Sequence, residues 1–167
     1  MTCDVPNEVV AKIYIAAHKV FDQPRDDGYV AIQTGRAFRE PLDGMLGDDT
    51  GLNISRLSDH FNEISALYWL RHNDASPYVG LAHYRRFLAP RDLANEVGGH
   101  QIASSRDFSE FNEGIDIVVV EPHKFCLPDS TIPETIEAQY IRCHQHFDLS
   151  RMRAVLRELS PTSSEAF

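Results

Sequence analysis

The sequence predicts an α/β protein of three layers, with a mostly parallel sheet between flanking helices. Residues 11–17 (AKIYIAA) form a short run of strand-forming residues. A helical pattern over residues 61–72 is followed, after a short polar turn, by an apolar strand that begins at Tyr78. Residues 115–120 (IDIVVV) are apolar enough for a central strand. A helix that leads directly into a strand favours parallel pairing.

Between the first strand and the helix the chain alternates extended and turn-forming segments. Residues 28–35 (GYVAIQTG) are predicted as a second extended segment. Residues 40–47 contain one proline and two glycines and are predicted as loop, which continues through residues 48–55 (DDTGLNIS).

The helix over residues 61–72 carries a stripe of apolar side chains at helical spacing. Ser58 or Asp59 is expected to cap its start. Trp69, on the same helix, is expected to serve packing. No secondary structure is assigned to residues 89–114.

The C-terminal part predicts a pair of short helices. Residues 131–134 (TIPE) fit a capping box with proline just inside the helix. Two amphipathic helices joined near Asp148 form a helical hairpin over residues 131–160. One domain is therefore predicted for residues 1–167, with a strand–helix part (11–88), a later strand (115–120) and this hairpin.

Composition excludes several classes of function. The 167 residues carry a formal net charge of −9, and a general nucleic-acid binder is usually basic. Three cysteines without close spacing indicate free thiols in a reducing compartment. No run approaches the ~20 apolar residues of a membrane helix, and residues 1–7 are polar, unlike a leader. We expect a cytoplasmic protein without a transmembrane segment and without nucleic-acid binding.

The strand at residues 78–88 turns abruptly polar at His83-Tyr84-Arg85-Arg86. Guanidinium groups match phosphate oxygens, so this strand end is a candidate anion site. If strand geometry persists, His83 and Arg85 share one side of the strand and the other two residues share the opposite side. The alternative is a solvated strand end.

Adjacent carboxylates at Asp48 and Asp49 lie in the predicted loop. They could ligate a hard cation, bond a ribose hydroxyl or act as a base; the alternative is an ordinary polar turn. Asn53 adds hydrogen-bonding capacity. Elsewhere, Lys19 beside His18 could bind a diphosphate or belong to a solvated loop. Glu63 could be a general base or a surface charge.

Other motifs are weak or absent. Residues 143–146 (CHQH) do not make a zinc site, because no second ligand pair stands at suitable spacing. The sequence contains no GxxxxGK[ST], GxGxxG or GxSxG pattern and no Asp-x-Asp pair.

Several segments occur together in a recognisable order: KIYIAAHK, the glycine of AIQTG, DDTGLNIS, NEISALYWL and YVGLAHYRRFL. Together they resemble the N-terminal part of a bacterial domain family found in capsular and exopolysaccharide biosynthesis proteins. That family was long labelled a domain of unknown function and is regarded as glycosyltransferase-like, with a nucleotide-sugar-binding fold of the GT-A type. IDIVVVEP and EAQYIRCHQHFDL look like its later strand and helix, so the resemblance covers nearly the whole chain.

The resemblance implies sugar transfer from a nucleotide-sugar donor to a growing bacterial surface polysaccharide, such as capsule, exopolysaccharide or lipopolysaccharide. The acceptor would be a glycan or a lipid-linked glycan, and the protein could associate peripherally with a membrane assembly. Members of the family continue past the point that corresponds to Phe167 with a further segment. The resemblance therefore leaves three alternatives for this chain, a fragment, a shortened gene product or an inactive remnant, and its fold could be incomplete.

The resemblance also implies a set of site residues. The candidate catalytic residues are Asp49, Glu63 and His83, and the candidate donor-binding residues are Asp48, Asn53, Tyr84, Arg85 and Arg86. His18 and Lys19 are added as donor-binding candidates because they follow the first strand. The two arginines would neutralise the leaving diphosphate. Many GT-A enzymes hold Mg²⁺ or Mn²⁺ through Asp-x-Asp at a strand end, where this chain has His-Tyr-Arg-Arg. Metal dependence is therefore open, with Asp48 and Asp49 as the candidate ligands.

Two further functions stay open. The chain could be a non-catalytic nucleotide-sugar or glycan-binding module that partners a separate transferase. A phosphate-ester hydrolase that uses Asp48 and Asp49 ranks last, because the further carboxylates and histidines of such metal sites are missing.

Overall fold

A four-stranded parallel sheet forms the centre of the N-terminal part of the chain. In the computed structural model, which describes residues 11–91, 94–108, 116–121 and 124–166, the strand order is β3-β2-β1-β4. The strands are β1 (Lys12–Ala17), β2 (Tyr29–Gln33), β3 (Leu46–Gly47) and β4 (Val79–His83). All three pairings are parallel, which confirms the predicted α/β class and the first two strands.

The central strand β1 is buried on both faces, as its near-continuous apolar sequence requires. Side chains alternate between two clusters. On one face, Tyr14 and Ala16 pack with Trp69 and Leu70, which lie in the helix predicted over residues 61–72. Ile15 and Ala17 pack with residues of connecting segments on the other, including Met45 and Tyr84. The packing role expected for Trp69 is confirmed.

The predicted helix over residues 61–72 is two helices, α1 (Ser58–Phe61) and α2 (Ile64–Asn73). Asn62 separates them with a backbone φ of 46° and ψ of −123°, a positive-φ conformation that residues other than glycine rarely adopt. The capping prediction was wrong. Ser58 lies inside α1, and the residue that precedes α2, Glu63, makes no capping hydrogen bond.

A hairpin occupies the region that the sequence left unassigned. Strands β5 (Ala94–Val97) and β6 (His100–Ala103) pair antiparallel. Gly98 and Gly99 form the turn with φ of 56° and 80°. Two consecutive positive φ values suit a tight hairpin turn, and the Gly-Gly pair was the available sequence signal.

The strand predicted at residues 115–120 is wrong for residues 116–120; Ile115 lies outside the described residues. Residues 116–120 are paired with no strand, and the side chains of Ile117 and Val119 are 79% and 78% exposed. Apolar composition alone does not make a strand, because backbone groups need a paired neighbour.

The chain divides into two compact units, the first ending at Val118 and the second beginning at Val119. The second contains α3 (Ile136–Cys143), α4 (Asp148–Leu159) and α5 (Pro161–Ala166). Among its described residues none is fully buried. No helix in the described part of the chain is both long and apolar enough to cross a membrane.

In the second unit the predicted start of the first helix was wrong, and the predicted pairing of α3 with α4 is supported. Thr135, not residues 131–134, caps α3, with its Oγ1 accepting from the Ala138 N–H at 3.0 Å. Arg153 of α4 lies 3.2 Å from Glu137 of α3, as a helical hairpin requires. Helix α5 was not predicted. Cys126 and Cys143 are free and exposed, and Cys3 lies outside the described residues.

The Asp48 carboxylate ties the first unit together just beyond β3. It is 0% exposed. It accepts four hydrogen bonds, from Gly35 N at 2.9 Å, Arg36 N at 3.1 Å, Ser55 Oγ at 2.5 Å and Ser65 Oγ at 2.7 Å. These donors come from the turn after β2, from the short 3-10 helix Ser55–Leu57 and from α2.

A second buried carboxylate lies at the opposite edge of the sheet. Asp74, whose side chain is 4% exposed, lies 2.9 Å from Lys12 Nζ. It accepts from the Tyr14 hydroxyl and from Ser76 N at 2.6 Å. Burial raises the pKa of the Asp74 carboxyl, but hydrogen bonds from Ser76, Tyr14 and Lys12 outweigh it and hold the pKa well below its ordinary value.

Asp48→Asn should destabilise the protein by about 3 kcal/mol, because the amide N–H group of asparagine would face donors such as the Gly35 and Arg36 N–H groups and leave at least one of them without an acceptor. Urea denaturation measures the loss. The matched control is Asp49→Asn, whose side chain is 32% exposed and which should cost less than about 1 kcal/mol. Equal losses in the two variants would show that the Asp48 network does not organise the fold.

Asp74 should make stability depend on acid pH. Since its folded-state pKa is depressed, its contribution is complete above about pH 4 and is lost as the pH falls further. The difference in unfolding free energy between wild type and Asp74→Asn should shrink by about 1 kcal/mol from pH 6 to pH 3. Urea titrations at the two pH values measure it, and a pH-independent difference would contradict the assignment.

Candidate functional site

The carboxyl ends of the four parallel strands meet at one edge of the sheet. His18 follows β1, Thr34 follows β2, Asp48 follows β3, and β4 ends at His83. The chain proceeds from β1 outward to β3 and then returns to place β4 on the other side of β1. In open α/β sheets ligands bind where the strand order reverses in this way. The expected crevice therefore lies between β1 and β4.

Tyr84 is the centre of a group of basic side chains in this crevice. Its backbone N–H donates to the Ala16 carbonyl at 3.2 Å, and the side chain is buried. The ring centroid lies 5.3 Å from that of His18, 5.4 Å from Lys19 Nζ and 5.2 Å from Arg85 Cζ. We call these four residues the Tyr84 cluster.

The charges of this cluster are available to a ligand. His18, Lys19, Arg85 and Arg86 are exposed. None of the ion pairs among the described residues involves Lys19, Arg85 or Arg86. In a chain with a formal net charge of −9, such a concentration of cations marks a place that attracts an anion.

Residues 83–86 form a turn, so the expected strand-like alternation of their side chains was wrong. The Arg86 N–H donates to the His83 carbonyl at 2.9 Å, and His83 N–H donates back to Arg86 O at 3.3 Å. The turn directs Tyr84 into the core and leaves both arginines exposed.

His83 pairs with Glu63 across the start of α2. Its Nε2 lies 3.2 Å from Glu63 Oε1, and its Nδ1 accepts from the Arg85 N–H at 3.1 Å. Since Nδ1 is an acceptor, the neutral imidazole carries its proton on Nε2 and donates it to Glu63. Burial lowers the pKa of His83, and Arg85, Arg86 and His18 lower it further against the opposing effect of Glu63. His83 is therefore neutral near pH 7 and positions the Glu63 carboxylate, whose side chain is 47% exposed.

Side-chain hydrogen bonds stabilise the loop at residues 48–55. Trp69 Nε1 donates to the Thr50 carbonyl and hydroxyl, both at 3.0 Å. Asn53 Nδ2 donates to the carbonyls of Asp49 and Gly51, both at 3.0 Å, and its Oδ1 accepts from Ser55 N at 3.2 Å. The Asn53 amide thus makes its hydrogen bonds within the loop.

Gly51 has no substitute at its position. Its φ is +54°, and a Cβ there would lie 2.0 Å from Asn73 Oδ1. Asn73 in turn accepts from Leu52 N and donates to Leu52 O. The glycine of the motif therefore lets the loop dock against the end of α2.

Asp49 is the one member of the aspartate pair that reaches solvent. Its Oδ1 lies 3.7 Å from Arg36 Nε. It borders a depression of about 440 Å³, together with Asn53, Arg56 and other residues. Because β3 and β4 are three strand spacings apart, Asp49 lies about 14 Å from the arginines. The two groups could contact different parts of one extended ligand.

The side chains of Asp48 and Asp49, the two candidate ligands, do not fit a magnesium or manganese site. The Asp48 oxygens are occupied by four donors, and the positive charge of Arg36 lies beside Asp49. Among the described residues no group of three or more His, Cys, Asp or Glu side chains could hold a metal.

The hairpin β5–β6 adds residues that the sequence interpretation missed. His100 and Gln101 line a cavity of about 460 Å³ together with Asp22, Arg85 and Phe87. A cavity of about 380 Å³ at the opposite, amino edge is lined mainly by apolar residues and backbone, including residues 77–80. It is remote from the Tyr84 cluster.

The structure thus brings His18, Lys19, Tyr84 and Arg85 into one cluster, with Arg86 in the adjoining turn. It joins Glu63 to His83 and leaves Asp49 at the far side of the same edge. Asp48 and Asn53 hold the loop in place.

Comparisons with known proteins identify the family. A protein family described as "Domain of unknown function (DUF4422)" matches residues 12–167. No curated protein matches the sequence. The apo structure of WbbM, a bifunctional glycosyltransferase, matches at 32% identity with a TM-score of 0.45, covering 53% of this chain and 16% of that chain. This chain thus aligns with a small part of the length of that protein. Because the family match covers nearly all 167 residues, the chain belongs to the DUF4422 family.

Proposed function

We propose that this protein is a glycosyltransferase domain that binds a nucleotide-sugar donor at the carboxyl edge of its sheet and transfers the sugar to a glycan. The observation that carries the proposal is the Tyr84 cluster, whose cations Lys19 and Arg85 form no ion pair with the residues that the structure describes and lie where the strand order reverses. The sequence resemblance to capsular and exopolysaccharide biosynthesis domains supports the same reading.

The cations suit a diphosphate. Lys19, Arg85 and Arg86 supply positive charge and hydrogen-bond donors. Stabilisation of the leaving diphosphate by these side chains does the electrostatic work that a divalent cation does in other enzymes of this chemistry. Asp49, three strand spacings or about 14 Å away, could accept a hydrogen bond from a hydroxyl of the ribose.

Glu63 suits the role of general base. Its carboxylate is exposed and is oriented by the His83 N–H. In the transfer step the acceptor hydroxyl oxygen bonds to the anomeric carbon, the bond from that carbon to the diphosphate breaks, and the hydroxyl proton passes to Glu63. His83, which is neutral and hydrogen-bonded at both ring nitrogens, positions the Glu63 carboxylate in this scheme.

The wider setting is part of the proposal. The acceptor would be a growing bacterial surface polysaccharide, free or lipid-linked, with the reaction on the cytoplasmic side and the protein in peripheral contact with a membrane assembly. The resemblance supports this setting.

Arg85→Ala should weaken binding of nucleotide diphosphates by tenfold or more, about the value of a charged hydrogen bond. Isothermal titration calorimetry with UDP, GDP and dTDP measures it. Arg71→Ala is the matched control, because Arg71 is exposed on α2 and away from the crevice. Equal effects of the two variants, or the absence of nucleotide binding by wild type, would overturn the proposal.

Glu63→Gln should lower the rate of sugar transfer by about 100-fold or more and leave the affinity for bare UDP, GDP or dTDP within twofold. Transfer is followed by release of nucleotide diphosphate in the presence of glycan acceptors. A wild-type protein that binds donors and transfers no sugar would indicate the non-catalytic binding module instead. An unchanged rate in Glu63→Gln would remove Glu63 from the chemistry.

A further inference from the structure

The hairpin β5–β6 lies beside the Tyr84 cluster and borders an open cavity of about 460 Å³. This volume is within the range of small-molecule sites. Arg85 lines the cavity and also belongs to the Tyr84 cluster, so a ligand in the cavity would adjoin an anion held by the cluster. Apart from Tyr84 and Arg85, the residues that line the cavity lie outside the motifs at residues 48–55 and 83–86.

The base of the hairpin is fixed to the sheet unit. The Ala103 N–H donates to the Leu88 carbonyl at 2.9 Å, and the Tyr29 hydroxyl donates to the Ala103 carbonyl at 2.7 Å. Ser105 N and Ser104 Oγ both donate to Asp26, each at 2.9 Å. These contacts hold the wall of the cavity on a rigid support, as a selective site requires.

The turn of the hairpin lies over another polar group. A Cβ built on Gly98 would lie 3.9 Å from Asp22 Oδ2. Asp22 is exposed and forms none of the ion pairs among the described residues. Its carboxylate is therefore available to a ligand that enters beneath the turn.

The polar groups of the cavity balance one another. Asp22 supplies acceptors, Arg85 supplies donors, and the His100 imidazole and the Gln101 amide each supply both. Phe87 and the buried Tyr84 add apolar surface. The carboxylate disfavours a second phosphate, whereas hydroxyl groups that both donate and accept match this set. The chemistry is that of a neutral, polyhydroxylated ring.

We infer that this cavity binds the sugar moiety of the donor and selects among donor sugars, with Asp22 and Gln101 hydrogen-bonded to its hydroxyls. The inference rests on the proposed function, because the diphosphate on the Tyr84 cluster places the attached sugar beside Arg85. The hairpin then determines specificity, and the cations supply affinity that does not depend on the sugar.

Calorimetry with paired ligands tests the inference: UDP against UDP-glucose and UDP-galactose, GDP against GDP-mannose, and dTDP against dTDP-rhamnose. Wild type should bind at least one nucleotide sugar about tenfold more tightly than its bare nucleotide. Asp22→Ala and Gln101→Ala should abolish that gain and leave the affinity for the bare nucleotide within twofold.

The matched control is Glu96→Ala. Glu96 is exposed, lies opposite Gln101 in the hairpin register and does not line the cavity. It should keep the gain, and thermal melting should show that all three variants fold.

Each contrary outcome has its own meaning. If the bare nucleotides bind and neither cavity variant changes the gain, the cavity is not the sugar site and the proposed function stands. If the variants weaken only binding of a free glycan, the cavity serves the acceptor and the inference is wrong. If wild type binds no nucleotide, the proposed function fails and the inference fails with it.

Discussion

The buried carboxylate of Asp48 is the constraint on which the arrangement of the sheet edge depends. It gathers the turn after β2, the 3-10 helix at Ser55–Leu57 and helix α2 around one charge, through four donors. A buried charge is tolerated only when it is fully hydrogen-bonded. The position of α2, and therefore of Glu63 at its start, is thus fixed by the same contacts that satisfy Asp48.

The two sequence motifs have different tasks for a physical reason. In the loop at residues 48–55 most polar side chains bond to the protein itself. Asp48, Asn53 and the Thr50–Trp69 contact hold the loop against α2. Asp49 alone presents its carboxylate to solvent. The turn at residues 83–86 is turned outward, because burial of Tyr84 forces both arginines into solvent. The loop after β3 therefore stabilises the fold, whereas the turn after β4 presents exposed cations at the same edge of the sheet.

The strands β1, β2 and β4 could be predicted because buried parallel strands need continuous apolar runs, and α2 because one face of it is apolar. The same rule failed for residues 116–120, since pairing depends on partners that composition does not specify. The positions of His18, Lys19, Tyr84 and Arg85 followed from the strand ends. The inward role of Asp48 and Asn53 could not be predicted, because a carboxylate or an amide in a loop has the same sequence signature whether its partners are backbone donors or a ligand. The hairpin cavity was missed because Asp22 and Gln101 are 79 positions apart and meet only in the fold.

We propose that the nucleotide sugar binds at the carboxyl edge of the sheet, between β1 and β4. Two-dimensional NMR of the ¹⁵N-labelled protein, titrated with UDP-sugars, GDP-sugars and dTDP-sugars, tests it most directly. Amide shifts should concentrate at residues 18–19 and 83–87, with smaller changes near Asp49. Shifts confined to residues 77–80, which line the cavity at the opposite edge, would contradict it.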